Sequence, residues 1–492
     1  MKKTHVGISL FVFIIFVVLY LGNISGWLMH DDEGTDFYEV WQLQEGKQPG
    51  KDYVAEQQPL FLLTGAWVLN HFGHSPTALR FVSAVQVLAG ALIFAWSISR
   101  VQSTAVALTT FALTLSTGLV YEQARLFRPD PMMLGWELAG LGIVILAAHK
   151  KDRRLWLLAG FLYGIAFLWK PFGVLPLVGL ILYFADQLWC NRYHWPDGLW
   201  RGIIGDGFVF GIVFLLIGGG VSVLLYNYLG FYYQEVLLQH SQLGQQSTIW
   251  QQVGKVLVNY LYFLVLNPIW LLTIILWRLQ KPSDWRNRPE IHLMLWQLAS
   301  PLFFLALTRP LFPRYIFYLT PVFAFLLAWQ IDIAVTRLRQ QNVPIARLLP
   351  FLITLITLFI SQPGIINLFT RQESDTLALA KYVAAQTAVD DSVLSDYAGI
   401  NFFANRHSIY EASIIAGGRI QGQIITGEML INRIESDDVQ MVLLHVAGGE
   451  PQPHQLIELV DYHNFRAYLE THFTLIQLFD RAGQQIEIYK RK

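Results

Sequence analysis

The chain has 492 residues, 54% hydrophobic, 14% aromatic and 14% charged, with a formal net charge of zero. A soluble domain carries roughly 25% charged residues, so this composition excludes an ordinary soluble enzyme, and nothing in it points to nucleic acid. The lone cysteine, Cys190, excludes an internal disulfide and a cysteine-based zinc site.

The N-terminus opens with Met1-Lys2-Lys3 and an apolar run to about residue 28. That run is longer than the roughly 7–15 residues of a signal-peptide core. It ends in Trp27-Leu28-Met29 rather than in small residues, and so reads as an uncleaved first span. A crossing helix needs about 20 mostly apolar residues. Runs of that kind lie near 7–28, 77–99, 103–122, 131–148, 155–170, 171–188, 203–226, 254–277, 291–308, 313–331 and 347–366, about eleven spans in all. Pro171 separates the fifth from the sixth, because a helix ends at or before the residue preceding proline.

Alternating these spans from a cytoplasmic Lys2-Lys3 puts Lys150, Lys151, Arg153, Arg154, Arg278, Lys281, Arg286, Arg288, Arg337 and Arg339 in cytoplasmic loops. This agrees with the positive-inside rule. The expected setting is a bacterial plasma membrane, crossed many times, with a cytoplasmic N-terminus and an extracytoplasmic C-terminus.

Two outer segments are long. The first, 29–76, holds a polar helical stretch from Asp36 to Glu45. It also holds a 13-residue apolar run, Leu60 to Phe72 with Pro59 before it, too short to span and read as an interfacial or re-entrant helix. The second, 367–492, is soluble in composition. A helix is expected at Asp375–Gln386 and near 455–470. Short β-rich runs at Ser392–Leu394, Val439–His445, Phe473–Phe479 and Ile486–Tyr489 complete a small α/β domain. The fold class is thus a polytopic α-helical membrane domain over 1–366 followed by an extracytoplasmic α/β domain over 367–492.

Charges at membrane depth are costly and mark function by default. Asp31, Asp32, Glu33 and Asp36 follow the first span directly. Taken alone, they suit a solvated helix N-terminus, where the dipole favours acids. Arg125, Arg128 and Asp130 cluster between the third and fourth spans, with Pro129 and Pro131 around Asp130. Lys170 ends the fifth span, and Arg309, Arg314 and Tyr315 lie between the ninth and tenth. A snorkelling side chain explains each base by itself. All of them, however, fall on the predicted outer face. Carboxylates suit proton abstraction from an acceptor, and arginine forks suit phosphate oxygens. The sequence has neither a P-loop nor a dinucleotide-binding glycine pattern, which argues against a nucleotide-sugar donor.

Asp32-Glu33-Gly34, then Tyr38, Gly46, Pro49, Asp52-Tyr53 and Glu56-Gln57-Gln58-Pro59-Leu60, resemble the first outer loop of GT-C glycosyltransferases. The subgroup is that of protein mannosyltransferases and aminoarabinose transferase-like enzymes. Arg128-Pro129-Asp130, Lys170-Pro171 and Arg314-Tyr315 with Pro321 resemble later elements of the same enzymes, so the likeness covers about 7–366.

The resemblance implies a GT-C fold and an inverting transfer of a hexose or pentose from a polyprenyl-phosphate donor to a lipid, glycan or protein acceptor. It gives Asp32 the role of general base, with Glu33 as helper, Asp31 as an extra acid and Glu56 as a second acid. Asp130 would orient the acceptor or the basic groups. Arg128, Lys170, Arg309, Arg314 and Tyr315 would hold the donor phosphate. Where this chain has Gln57-Gln58-Pro59, many members carry a base or a second proline, which leaves the sugar open. No cofactor is required by these residues, and dependence on a divalent cation stays open. Asp32 and Asp36, one turn apart, offer carboxylates that suit Mg or Mn. A lipid-linked sugar flippase or transporter is the alternative. Such proteins often carry internal repeats, and none is evident here. Oligomeric state is not legible.

Overall fold

The computed structural model describes residues 2–26, 31–190, 199–230, 248–280, 285–302, 316–341, 348, 352, 355–356, 358–359, 365–366, 369–370, 375–446, 456–481 and 484–492. The chain divides into two compact units. The first comprises 1–24, 80–224 and 246–370, and the second 25–79, 225–245 and 371–492.

The first unit is helical. It opens with α1 (Lys2–Leu21), followed by α4 (Pro76–Ser99), α5 (Thr104–Ser116), α6 (Gly118–Ala124), α7 (Pro129–Lys150), α8 (Arg153–Trp169) and α9 (Leu175–Cys190), the intervening α2 (Asp31–Gln44) and α3 (Pro59–Phe72) belonging to the second unit. Among the described residues, five helices are long and apolar enough to cross a membrane: Pro76–Ser99, Pro129–Lys150, Pro171–Cys190, Gly202–Leu229 and Leu319–Gln340. Two bent pairs raise the number to seven, against eleven apolar runs in the sequence. The helix α8, with 17 residues, has the place of the fifth run.

Each bend has a local cause. The α5/α6 pair turns by 68° at Thr117, which is extended at φ −65°, ψ 126°. Ser116 and Thr117 hydroxyls donate back to the carbonyls of Ala112 and Leu113 at 2.6 and 2.9 Å, a bond that competes with the helical ladder. The 97° bend between Trp250–Leu266 and Pro268–Gln280 sits at a proline. The α8 helix stops at Trp169, and Pro171–Val174 forms a short 3-10 turn before α9, so Pro171 breaks the helix where the sequence predicts. Helices α4 and α7 meet at Gly90 and Gly135: a Cβ on Gly90 would lie 1.9 Å from the Gly135 carbonyl oxygen. Small residues permit this backbone approach where lipid supplies no hydrophobic driving force between helices.

The second unit joins α2 (Asp31–Gln44) and α3 (Pro59–Phe72) to the C-terminal segment. That segment holds β1 (Val393–Ser395), β2 (Met441–Val446), β3 (Phe473–Arg481) and β4 (Gln484–Arg491), in the order β1-β2-β4-β3. β1 runs parallel to β2, and the other two pairings are antiparallel. Successive residues point to opposite faces. Val393, Met441, Leu443, Ile486 and Ile488 therefore pack against helix Asp375–Gln386 through Leu379 and Val383. Leu394, Val442, Leu444 and Tyr489 pack on the other side with Leu430, Ile434, Phe465 and Leu469. With both faces covered, β1 and β2 read as nearly unbroken apolar runs. The helix expected near 455–470 is found at Tyr462–His472, after a short turn at Leu456–Glu458.

Candidate active site

In the second unit, α2 begins at Asp31, five residues before the predicted Asp36. This puts the acids in the first turns, where the helix dipole favours them. The Asp31 side chain lies outside the described residues. Asp32 is half-buried, while Glu33 and Asp36 are buried. Residues spaced i, i+4 and i+7 share one helical face, so Asp32, Asp36 and Glu39 form a single acidic stripe. Glu39 was not singled out by the sequence reading, although that spacing was there to find it.

One Glu39 carboxylate oxygen accepts the backbone N–H groups of Glu56 and Gln57 at 3.2 and 3.4 Å. This bond draws the end of the loop, and Glu56 with it, up to α2. Burial pushes the Glu39 carboxyl well above the usual carboxylate range, and the neighbouring charges of Asp36 and Glu56 push it further. A second missed residue is Arg419, from the C-terminal segment. Its guanidinium is buried and donates to the Ile414 carbonyl and, at 3.3 Å, to the Glu411 carbonyl. Burial lowers its pKa, and Glu56 is the leading charge that opposes this.

In the first unit, Arg128 caps the N-terminus of α7, Pro129 takes the first helical position and Asp130 the first turn. Proline is suited to that place because its missing N–H would be unpaired in any case. Lys170 caps the C-terminus of α8 in an extended conformation. The Lys170 ammonium donates to both Asp130 carboxylate oxygens at 2.7 Å and lies 5.6 Å from the centre of the Phe172 ring. Asp130 is buried, and the Lys170 side chain is 16% exposed. Two residues forty positions apart, assigned separate roles from the sequence, thus form one ion pair. Arg128 is buried close to this pair in sequence.

Arg125 is a tie between helices. It donates to the carbonyls of Leu19 and Asn23 at 2.6 and 3.0 Å and to the Tyr121 hydroxyl at 2.7 Å. Arg309, Arg314 and Tyr315 lie outside the described residues. Among the described residues, no group of three or more His, Cys, Asp or Glu converges to hold a metal ion.

A carboxylate stripe of this kind can take a proton from a hydroxyl or amine. A half-buried lysine and a buried arginine at helix ends can hold phosphate oxygens and stabilise the charge that develops on a departing phosphate.

Residues 57–204 match the family described as dolichyl-phosphate-mannose-protein mannosyltransferase. No curated protein matches the chain. Among solved structures, the chain is similar to ArnT from Cupriavidus metallidurans bound to undecaprenyl phosphate. The two are 15% identical with a TM-score of 0.62, over 99% of this chain and 97% of that one. The apo state of the same protein gives 14% identity and a TM-score of 0.65 over the same shares. The Archaeoglobus fulgidus oligosaccharyltransferase AglB, in complex with an inhibitory peptide and a dolichol-phosphate, gives 11% identity and a TM-score of 0.56. That match covers 100% of this chain and 74% of AglB. The likeness expected from the sequence is borne out at the level of fold: the chain has the fold of ArnT and AglB, and residues 57–204 match the mannosyltransferase family model.

Proposed function

We propose that this chain is a multi-pass membrane glycosyltransferase that moves a sugar from a polyprenyl-phosphate-linked donor to an extracytoplasmic acceptor by inverting displacement. The observation that carries the proposal is the acidic stripe of α2, which follows the first apolar helix within a GT-C fold spanning 99% of the chain.

In this reading Asp32, the half-buried member of the stripe, takes the acceptor proton. The acceptor oxygen or nitrogen then bonds to the anomeric carbon as the bond from that carbon to the phosphate oxygen breaks. The electron pair leaves with the polyprenyl phosphate. Glu33 and Asp36 support the charge of the stripe, and Glu56 is the second acid. Arg128 and Lys170 hold the donor phosphate, together with Arg309, Arg314 and Tyr315. Asp130, bonded to Lys170, sets the position of that ammonium. The sugar and the acceptor class stay open. The N-terminus lies on the cytoplasmic side and the C-terminus outside.

The test is turnover of a panel of radiolabelled polyprenyl-phosphate sugars by membranes that contain the protein. Release of sugar from one donor supports the reading and names the donor. Movement of an intact lipid-linked sugar across the bilayer, with no release from any donor, would replace the reading with a flippase.

A further inference from the structure

We infer that the C-terminal segment is a positioning element of the acidic helix α2, its helix Ala398–Ala404 and the turn after it acting as the platform that aims the carboxylates. The inference rests on the transferase reading above, and it starts from the second face of α2. Two residues of an α-helix turn by about 200°. A stripe shifted by two from Asp32, Asp36 and Glu39 therefore lies on the opposite side: Gly34, Tyr38 and Trp41, flanked by Phe37 and Gln42.

Every member of that second stripe meets the C-terminal segment. Phe37 stacks on Phe402 at 5.2 Å and meets Phe403 edge-on at 6.1 Å. Trp41 lies parallel to the His407 ring at 5.0 Å and edge-on to Phe402. The Tyr38 hydroxyl accepts the Ser408 N–H at 2.8 Å, and the Gln42 side chain lies 3.2 Å from His407 Nδ1. Beyond α2, Val54 N–H donates to the Ser413 hydroxyl at 2.9 Å, and the Tyr410 hydroxyl donates to the Gly50 carbonyl at 3.2 Å. His74 Nε2, just after α3, bonds the Phe402 carbonyl at 2.7 Å. The 31–56 loop is thus held at its helix, its turn and its end by residues more than three hundred positions away.

Gly34 fixes how closely the platform approaches. A Cβ there would lie 2.1 Å from the Tyr397 hydroxyl oxygen, 2.5 Å from its ring and 2.9 Å from Gly399 Cα. A side chain at 34 must push the Tyr397 ring aside or lift or rotate α2 away from the platform. A 1 Å error in the placement of a catalytic group costs on the order of 100-fold in rate. The glycine beside Asp32-Glu33 is therefore explained by a tyrosine of the C-terminal segment rather than by local chain flexibility.

The experiment compares wild type, Gly34→Ala, Tyr397→Ala and the double variant, all assayed as full chains in membranes with equal insertion. Donor turnover is read as kcat and KM. A Ser408→Cys probe, in a Cys190→Ser background, is labelled with maleimide in parallel, because the Ser408 hydroxyl is buried in the docked state. The expected result for Gly34→Ala is a kcat lower by at least 10-fold, a donor KM within 2-fold of wild type, and faster labelling at position 408. Tyr397→Ala in the same chain should restore much of the lost kcat by removing the obstacle. Wild-type turnover with an unchanged kcat in Gly34→Ala, or a loss that Tyr397→Ala does not relieve, would overturn the positioning role alone. Absence of turnover in the wild type would instead overturn the transferase reading on which it rests.

Discussion

The Asp130–Lys170 pair permits a quantitative test of the first unit. Asp130 is almost fully buried and bonds the ammonium through both oxygens at 2.7 Å, while the Lys170 side chain is 16% exposed. Removing one partner of such a pair strands a charge in a low-dielectric setting, at a cost of about 3–5 kcal/mol. The residual exposure of Lys170 places Asp130→Ala toward the lower end, about 3 kcal/mol, or roughly 150-fold in the folded ratio by the 1.4 kcal/mol per decade rule. Replacing both by apolar residues of similar volume, Asp130→Leu with Lys170→Met, removes both charges together and should recover most of that loss, since buried pairs are often replaceable by packed hydrophobes. Equilibrium unfolding in mixed micelles, followed by tryptophan fluorescence, measures Asp130→Ala, Lys170→Met and the double variant. If Asp130→Ala loses less than about 0.5 kcal/mol, within the usual range for an exposed substitution, or if the double variant is as unstable as the two single losses summed, the pair is not the buried unit described.

Three further outcomes follow from the same geometry. Glu39→Gln keeps an acceptor for the Glu56 and Gln57 N–H groups and should change stability by less than about 1 kcal/mol, whereas Glu39→Ala orphans both and should cost about 2–3 kcal/mol; thermal unfolding of the purified protein separates the two. Arg125→Met removes the guanidinium bonds to the carbonyls of Leu19 and Asn23 and to the Tyr121 hydroxyl and should cost about 2–3 kcal/mol, with Arg125→Lys recovering only part because an ammonium lacks the fork; unfolding in mixed micelles checks it. Burial holds His74 and His407 below the usual histidine value, with Lys47 lowering His407 further against the charges of Glu45 and Asp390. The unfolded chain therefore takes up protons first, and the stability of the second unit should fall as pH drops below about 6.5. Glu39, raised by burial, contributes with the opposite sign, so proteolysis of the C-terminal segment at pH 7.5 and 5.5 is compared in a Glu39→Gln background. Equal rates at the two values would contradict the histidine assignment.

Much of this molecule was legible in local pattern. Among the described residues apolar run length located five to seven of the eleven expected spans, Pro171 marked the α8–α9 break, and short β-rich runs placed the four strands to within a few positions. Asp32, Arg128, Asp130 and Lys170 stood out as candidates because charges beside apolar runs are costly. What escaped depends on partners distant in sequence. The start of α2 was missed because Asp31, Asp32 and Glu33 resemble a solvated loop until the aromatic face of the helix has something to pack on. That face meets Phe402, His407 and Ser408, and no periodicity in either segment announces the other. Asp130 was read as orienting either the acceptor or the basic groups, and only the fold singles out Lys170 as its partner. The bend at Thr117 arises from hydroxyl back-bonding, which an apolar window averages away.

The most direct test of the account is single-turnover sugar release from the active polyprenyl-phosphate donor by wild type and by Asp32→Asn, at equal membrane insertion and with donor binding measured in the same samples. The account predicts unchanged donor binding and a loss of release of about 100-fold or more, in the 10²–10⁴ range of a lost general base. Release by Asp32→Asn at the wild-type rate would contradict the assignment of Asp32 as the base.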